Sequence, residues 1–330
     1  MSFADCILQA QQAGRISRQT ADALIDADDP DVALDNVLNN LTRQKRETAI
    51  QSVKLAEAFE KIEGHPKSKR DGLLSLLTKD RTGKAGYANV EYLAKVTTAR
   101  YQSRFADTLS AFRTRKLGLS QDTERLSKLV RAVYGEAVDD PEVAKWAKDW
   151  QKLTDDMRED FNAKGGSISK NERWLMPQNH DARALQKVGV DEWKAKIKPM
   201  LDTGQMRDDL GNMLSDTELD EALDYVFETI TTGGLNKAKD FTVPRLGKKL
   251  SRKGSDKRFL FFKDADSWMS YNKEFGKGDI FTTLTDHIES RGNDIAMMDI
   301  FGTNPESTFN ALKGMVEKAQ PLTGTQKAEL

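Results

Sequence analysis

His180-Asp181 and the Asp264/Asp266 pair are the side chains of this sequence that most resemble the parts of a reactive site. An imidazole beside a carboxylate is what a metal-dependent phosphohydrolase uses, but that centre needs further His and Asp ligands to close its coordination shell. The remaining histidines are His65, in a Gly-Pro turn, and His287, on the apolar side of a helical pattern. A capping or structural role therefore accounts for the pair. Asp264 and Asp266 invite comparison with the two acids of glycoside hydrolysis. Two residues apart at a helix start, they point to different sides, and capping with helix-dipole compensation explains them. Cys6 has no nearby His to activate it as a nucleophile. As the single cysteine it excludes a disulfide within this sequence, and no Cys/His cluster suits zinc. No glycine-rich run matches a phosphate-binding loop. No catalytic, cofactor-binding or metal residue is expected, and the chain reads as a non-enzyme. A cell-wall hydrolase would need a cleft with convergent acids around Glu172, Asp181 or Asp264.

The best candidate for contact with nucleic acid is a basic arm over residues 236–258. It carries Lys237, Lys239, Arg245, Lys248, Lys249, Arg252, Lys253, Lys257 and Arg258, with Pro244, Gly247 and Gly254 as breakers. Each phosphate neutralised by such residues releases counterions and adds affinity that depends on salt but not on sequence. The plainer alternative is a solvated basic loop whose partner is the acidic helix Asp216 to Glu228. Trp146, Trp150 and Phe161 share one helical face, which suits a core or a subunit interface.

These groups sit in a chain of 330 residues, 38% hydrophobic and 31% charged, with mean hydropathy −0.64. That is polar for a compact globule and ordinary for elongated helical proteins. The 51 basic and 52 acidic residues nearly cancel to a net charge of −1. This argues against whole-chain binding to nucleic acid but leaves room for a local patch. No stretch has the apolar length of a transmembrane helix. The start, MSFADCILQAQQAGRIS, lacks the basic end and unbroken apolar core of a signal peptide. The polar end, Gln320 to Leu330 with Pro321 and Gly324, reads as a linker at which a longer chain has been cut.

The pattern predicts an all-α chain in two parts. In the first, residues 1–164, short helices over Phe3–Ala13 and Ser17–Ala27 precede a long helix from Pro30 to Gly64. Leu34, Leu41, Thr48, Leu55 and Ile62 recur every seven residues in it, with Leu38 and Phe59 on the neighbouring row. Lys45, Thr48 and Ser52 make this an incomplete coiled-coil seam. A short helix over Arg70–Leu77 follows. A second long helix is expected from Ala88 to about Lys116, folded back antiparallel on the first. Ser120 is read as the cap of the next helix and Pro141 as the start of one reaching Phe161. Gly165-Gly166 reads as a hinge and domain boundary. The second part, residues 165–320, is a compact helical domain with helices around Trp193–Leu201 and Thr217–Ile230. Its densest apolar stretch runs from Lys257 to Lys313, with helices capped by Asp264 and Asp279 and another begun by Pro305. Its core is expected to be Phe259, Phe261, Trp268, Phe275, Ile288 and Ile295.

Three strings in that second part carry a resemblance: WLMPQNHDARALQKVGVDEWKAKIKPMLD, LSDTELDEALDYVFETITTGG and RFLFFKDADSWMSYNKEFGKGDIF with HIESRGNDIAMMDIFGTNPESTF. In this order they resemble segments of large virion-associated proteins of tailed bacteriophages, especially short-tailed ones. The resemblance spans Asn171 to Lys313, about half the chain. It implies an internal protein made in the host cytoplasm, packaged inside the capsid and ejected into the host envelope or cytoplasm to assist genome delivery. Its implied partners are other virion proteins, such as the portal or fellow ejection proteins, and further copies of itself in a homo-oligomer. Non-specific DNA contact is compatible with it.

Overall fold

A computed structural model describes residues 3–27, 29–80, 85–111, 122–168, 170, 175–207, 211–233 and 260–319. The architecture is all-α. Among the described residues there is no strand, only the isolated bridges Leu201 to Phe262 and Arg207 to Met213.

Helices α1 (Phe3–Gln12), α2 (Arg18–Ile25) and α3 (Pro30–Glu63) open the chain. Ser17 and Asp29 cap the latter two, and Pro30 stands at the first helical position, where its missing N–H costs nothing. Helix α4 (Lys69–Leu77) begins at Ser68, which accepts from the Asp71 N–H. Helix α5 (Val90–Arg104) is shorter than expected. The chain breaks at Phe105 and resumes as α6 (Ala106–Ala111). Phe105 is buried, its ring 5.4 Å from that of Trp150. Helix α7 (Thr123–Val133) is capped by Asp122, whose carboxylate accepts from the Arg125 N–H; Ser120 lies outside the described residues. Helix α8 (Pro141–Ala163) buries Val143, Trp146, Trp150, Leu153, Met157 and Phe161 on one stripe.

Past Gly165-Gly166 come α9 (Ala182–Val188), α10 (Val190–Ile197), α11 (Asp216–Thr231), α12 (Ala265–Phe275), α13 (Ile280–Phe301) and α14 (Pro305–Ala319). Ser215 and Glu218 form a reciprocal capping box on α11. Asp264 and Asp279 cap α12 and α13 through the Ser267 and Thr282 N–H groups, both at 2.7 Å.

One expectation about assembly of the elements is corrected, and one feature of the packing across the glycine pair was not expected. The long helices do not form an antiparallel hairpin: α5 lies along α13, while α3 packs on α4, α13 and α14. And Gly165-Gly166 is no break in packing. The main core runs across it, from Tyr101, Trp146 and Trp150 to Trp193, Trp268 and Ile288. The glycine pair is itself buried. Gly165 has φ 105°, and a Cβ there would sit 3.1 Å from Ile50 Cδ1. One on Gly166 would sit 2.8 Å from the Phe161 carbonyl oxygen. Glycine is required there for close packing at a tight turn rather than for motion.

Candidate functional site

The residues singled out for chemistry do not converge. His180 Nδ1 lies 2.9 Å from the Tyr271 hydroxyl, and the two rings meet edge to face. Asp181 caps α9, accepting from the Arg183 and Ala184 N–H groups. His65 is buried at the α3–α4 turn, where its Nε2 stands 3.8 Å from the Asp80 carboxylate. The His287 ring rests 6.1 Å from that of Trp150. Asp266 pairs with Arg131 of α7, and Asp264 is spent on its cap. Burial pulls the Asp264 carboxyl up, but the Ser267 hydroxyl and N–H outweigh it and hold it below the usual carboxylate range. Cys6 is exposed. Among the described residues no group of three His, Cys, Asp or Glu is placed to hold a metal. Nor is any described helix long and apolar enough to cross a membrane.

Lys237 to Arg258, the basic arm, lies outside the described residues, as do Phe259 and Glu172. The acidic helix suggested as the arm's partner is partly engaged elsewhere. Lys194 reaches Asp224 at 2.6 Å and Lys198 pairs with Asp220. Of the remaining expected core residues, Trp268, Phe275, Ile288 and Ile295 are buried, but Phe261 is only half-buried. The segment is extended, so its neighbours Leu260 and Phe262 face inward instead. That segment is tied in by its backbone. Asp202 N–H donates to the Phe261 carbonyl at 2.7 Å, Lys263 N–H to Met200 O at 3.0 Å, and Gln178 Nε2 to Leu260 O at 2.6 Å.

The most developed polar arrangement was not foreseen. The middle of α3 reads the ends of two other helices. Gln51 Oε1 accepts from the Asn304 N–H at 2.7 Å and the Thr303 hydroxyl at 3.1 Å. Its Nε2 donates to the Phe301 and Asn304 carbonyls and to Thr308. Thr303 also donates to the Glu47 carbonyl. Arg46 donates to the Asn162 and Gly166 carbonyls at the end of α8. Both carbonyls lie at the C-terminal end of α8, where a cation meets the negative end of the helix dipole. The signal was the run of polar residues that weakens the seam.

A second unforeseen group lies between α5, α8 and α13. The Arg291 guanidinium sits 4.7 Å from the centre of the Phe161 ring and 3.9 Å from Asp294. Burial lowers its pKa, opposed by the Asp294 carboxylate. Nearby on α5, Tyr101 donates to Asp160 at 2.6 Å, and burial followed by that carboxylate raises its hydroxyl pKa. Both groups tie helices together.

Comparison with protein-family models, curated proteins and solved structures finds no match.

Proposed function

We propose that this chain is a structural component of a tailed-bacteriophage particle, an internal protein ejected with the genome to assist its passage across the host envelope. The observation that carries the reading is the resemblance of three segments, in order, between Asn171 and Lys313. Those segments contribute Trp193, Trp268, Phe275 and Ile288 to the main core, so the resembling part is integral to the fold and no appendage. Passage through a narrow portal requires a loosened chain that rebuilds afterwards. A sequence with one cysteine has no internal disulfide to open first. The partners on this reading are other virion proteins and further copies of this chain. Mass spectrometry of purified particles tests it. The chain is expected in every particle at a fixed copy number, and its absence would overturn the reading.

The basic arm favours a second reading, non-specific DNA binding. Mobility shifts at two salt concentrations separate it: binding through phosphates weakens steeply as salt rises. The hydrolase alternative has no comparable support in the placed acids, and a zymogram on purified peptidoglycan addresses it.

A further inference from the structure

The seven-residue register of α3 sets Leu34, Leu41, Thr48 and Leu55 at one core position of a heptad and Leu38, Lys45, Ser52 and Phe59 at the other. The stripe that α3 buries is a different one. Ala33, Glu47, Ala58 and Ile62 are buried, with Val37 and Gln51 half-buried along the same line. The heptad seam lies to one side of that stripe; Leu34 is half-buried against α1 and α2, and beyond it Leu38 and Leu41 face solvent. Leu38 is 51% exposed and Leu41 40%. Asp31, Asp35, Lys45 and Thr48 around them are exposed as well. Among the described residues, no ion pair engages Asp31, Asp35 or Lys45.

What could cover this face is constrained by Lys45. A lysine at a heptad core position weakens a coiled coil but specifies its register and orientation. In a parallel self-pairing the two Lys45 ammonium groups would oppose each other. In an antiparallel self-pairing, residues of one core position face residues of the other. Aligning Leu38 with Leu41 of a second copy also aligns Lys45 with Leu34 of that copy. The hole that receives a side chain there is bounded by Asp31, Leu34, Asp35 and Leu38. Each lysine would thus enter a site with two carboxylates on its rim, and two-fold symmetry repeats this at the other end of the contact. Charge complementarity therefore selects one occupant and one orientation.

We propose that α3 pairs antiparallel with α3 of a second copy of this chain, through Leu38 and Leu41, with Lys45 of each copy set between Asp31 and Asp35 of the other. This rests on the reading of the chain as a multi-copy virion component and gives that assembly a specific contact.

The test uses the full chain with Cys6→Ser, in which Leu38→Cys and Leu41→Cys copies are made separately, mixed and oxidised. The mixed 38-to-41 disulfide is expected to form well ahead of either like-with-like product. In sedimentation equilibrium, Lys45→Glu is expected to weaken self-association on the order of tenfold or more, since it places like charges together. Adding Asp31→Lys and Asp35→Lys to the same chain is expected to restore it. All these sites are exposed, so circular dichroism should show unchanged helix content in every variant. A chain that stays monomeric at every concentration overturns the pairing, as does a dominant 38-to-38 disulfide. So does a thiol in the Leu38→Cys variant that resists labelling in the monomer, which would mean that the same chain covers the face. A monomeric chain still found in purified particles removes this contact and leaves the functional reading standing. A chain that pairs as described but is missing from particles does the reverse.

Discussion

Gln51 shows at the scale of one residue how a polar side chain inside a long helix can hold a fold together. Its amide uses both ends, accepting from Asn304 and Thr303 and donating to the Phe301 carbonyl at the end of α13 and the Asn304 carbonyl before α14. Gln51→Leu removes donor and acceptor together and takes from the Asn304 N–H its acceptor, while Thr308 still bonds the Phe301 and Asn304 carbonyls, so it is expected to cost roughly 1–3 kcal/mol in urea unfolding. Trp268 is the apolar counterpart. It is 1% exposed, and its Nε1 donates to the Pro177 carbonyl at 3.1 Å. Trp268→Ala is expected to cost roughly 3–5 kcal/mol; a loss well under 1 kcal/mol would place it outside the core. Acid sensitivity also belongs to single residues. The Arg125 side chain, bonded to Asp140, holds that carboxyl below its ordinary value, and Asp264 is held low as described. A depressed folded-state pKa stabilises the fold above the unfolded value of about 3.9, and that contribution is lost as pH falls through the lower folded-state value. Unfolding monitored by tryptophan fluorescence should therefore show stability flat near neutrality and falling below about pH 4. Asp264→Asn should flatten that fall.

Between elements, the tightest contact is α5 against α13. The apolar register of α13 runs through Leu284 and Ile288 to Ile295, with a gap at Arg291 and Gly292. The gap is where α5 comes close: a Cβ on Gly292 would lie 3.2 Å from the Thr98 N and 3.3 Å from its Cα, and against its hydroxyl. Gly292→Ala gains about 1 kcal/mol of helix propensity but presses on backbone that cannot yield. A net loss of roughly 1–3 kcal/mol is expected from overpacking. Thr98→Ala in the same chain should recover part of it, a coupling that a double-mutant cycle reads. The elements themselves were largely legible, because caps and prolines announce them: Ser17, Asp264, Asp279, Pro141 and Pro305 all mark helix starts in the structure. Two things were not. The break after Arg104 has no glycine or proline; it follows from seating Phe105 against Trp150, a tertiary effect. The seven-residue pattern of α3 identified an apolar seam but not its use. The face that docks on the rest of the molecule is a neighbouring stripe chosen by Glu47, Gln51 and Ala58.

At the scale of the whole molecule, one core joins what the sequence reads as two domains. Gly165-Gly166 resembled a hinge because glycine pairs usually give freedom, whereas here they give room for Ile50 and for the turn after Phe161. Limited proteolysis should accordingly spare residues 165–166. Heat or urea should unfold tryptophans on both sides, Trp150 and Trp268, in one transition; two separated transitions would restore the domain boundary. On the proposed function, a fold with shared packing has to come apart as a unit to pass a portal and reassemble as a unit beyond it. The most direct measurement is to trigger genome release from purified particles in vitro and follow this chain by quantitative mass spectrometry. The chain is expected to be present in full particles and to leave with the DNA. A chain retained in the emptied shells, or never present in the full ones, would contradict it.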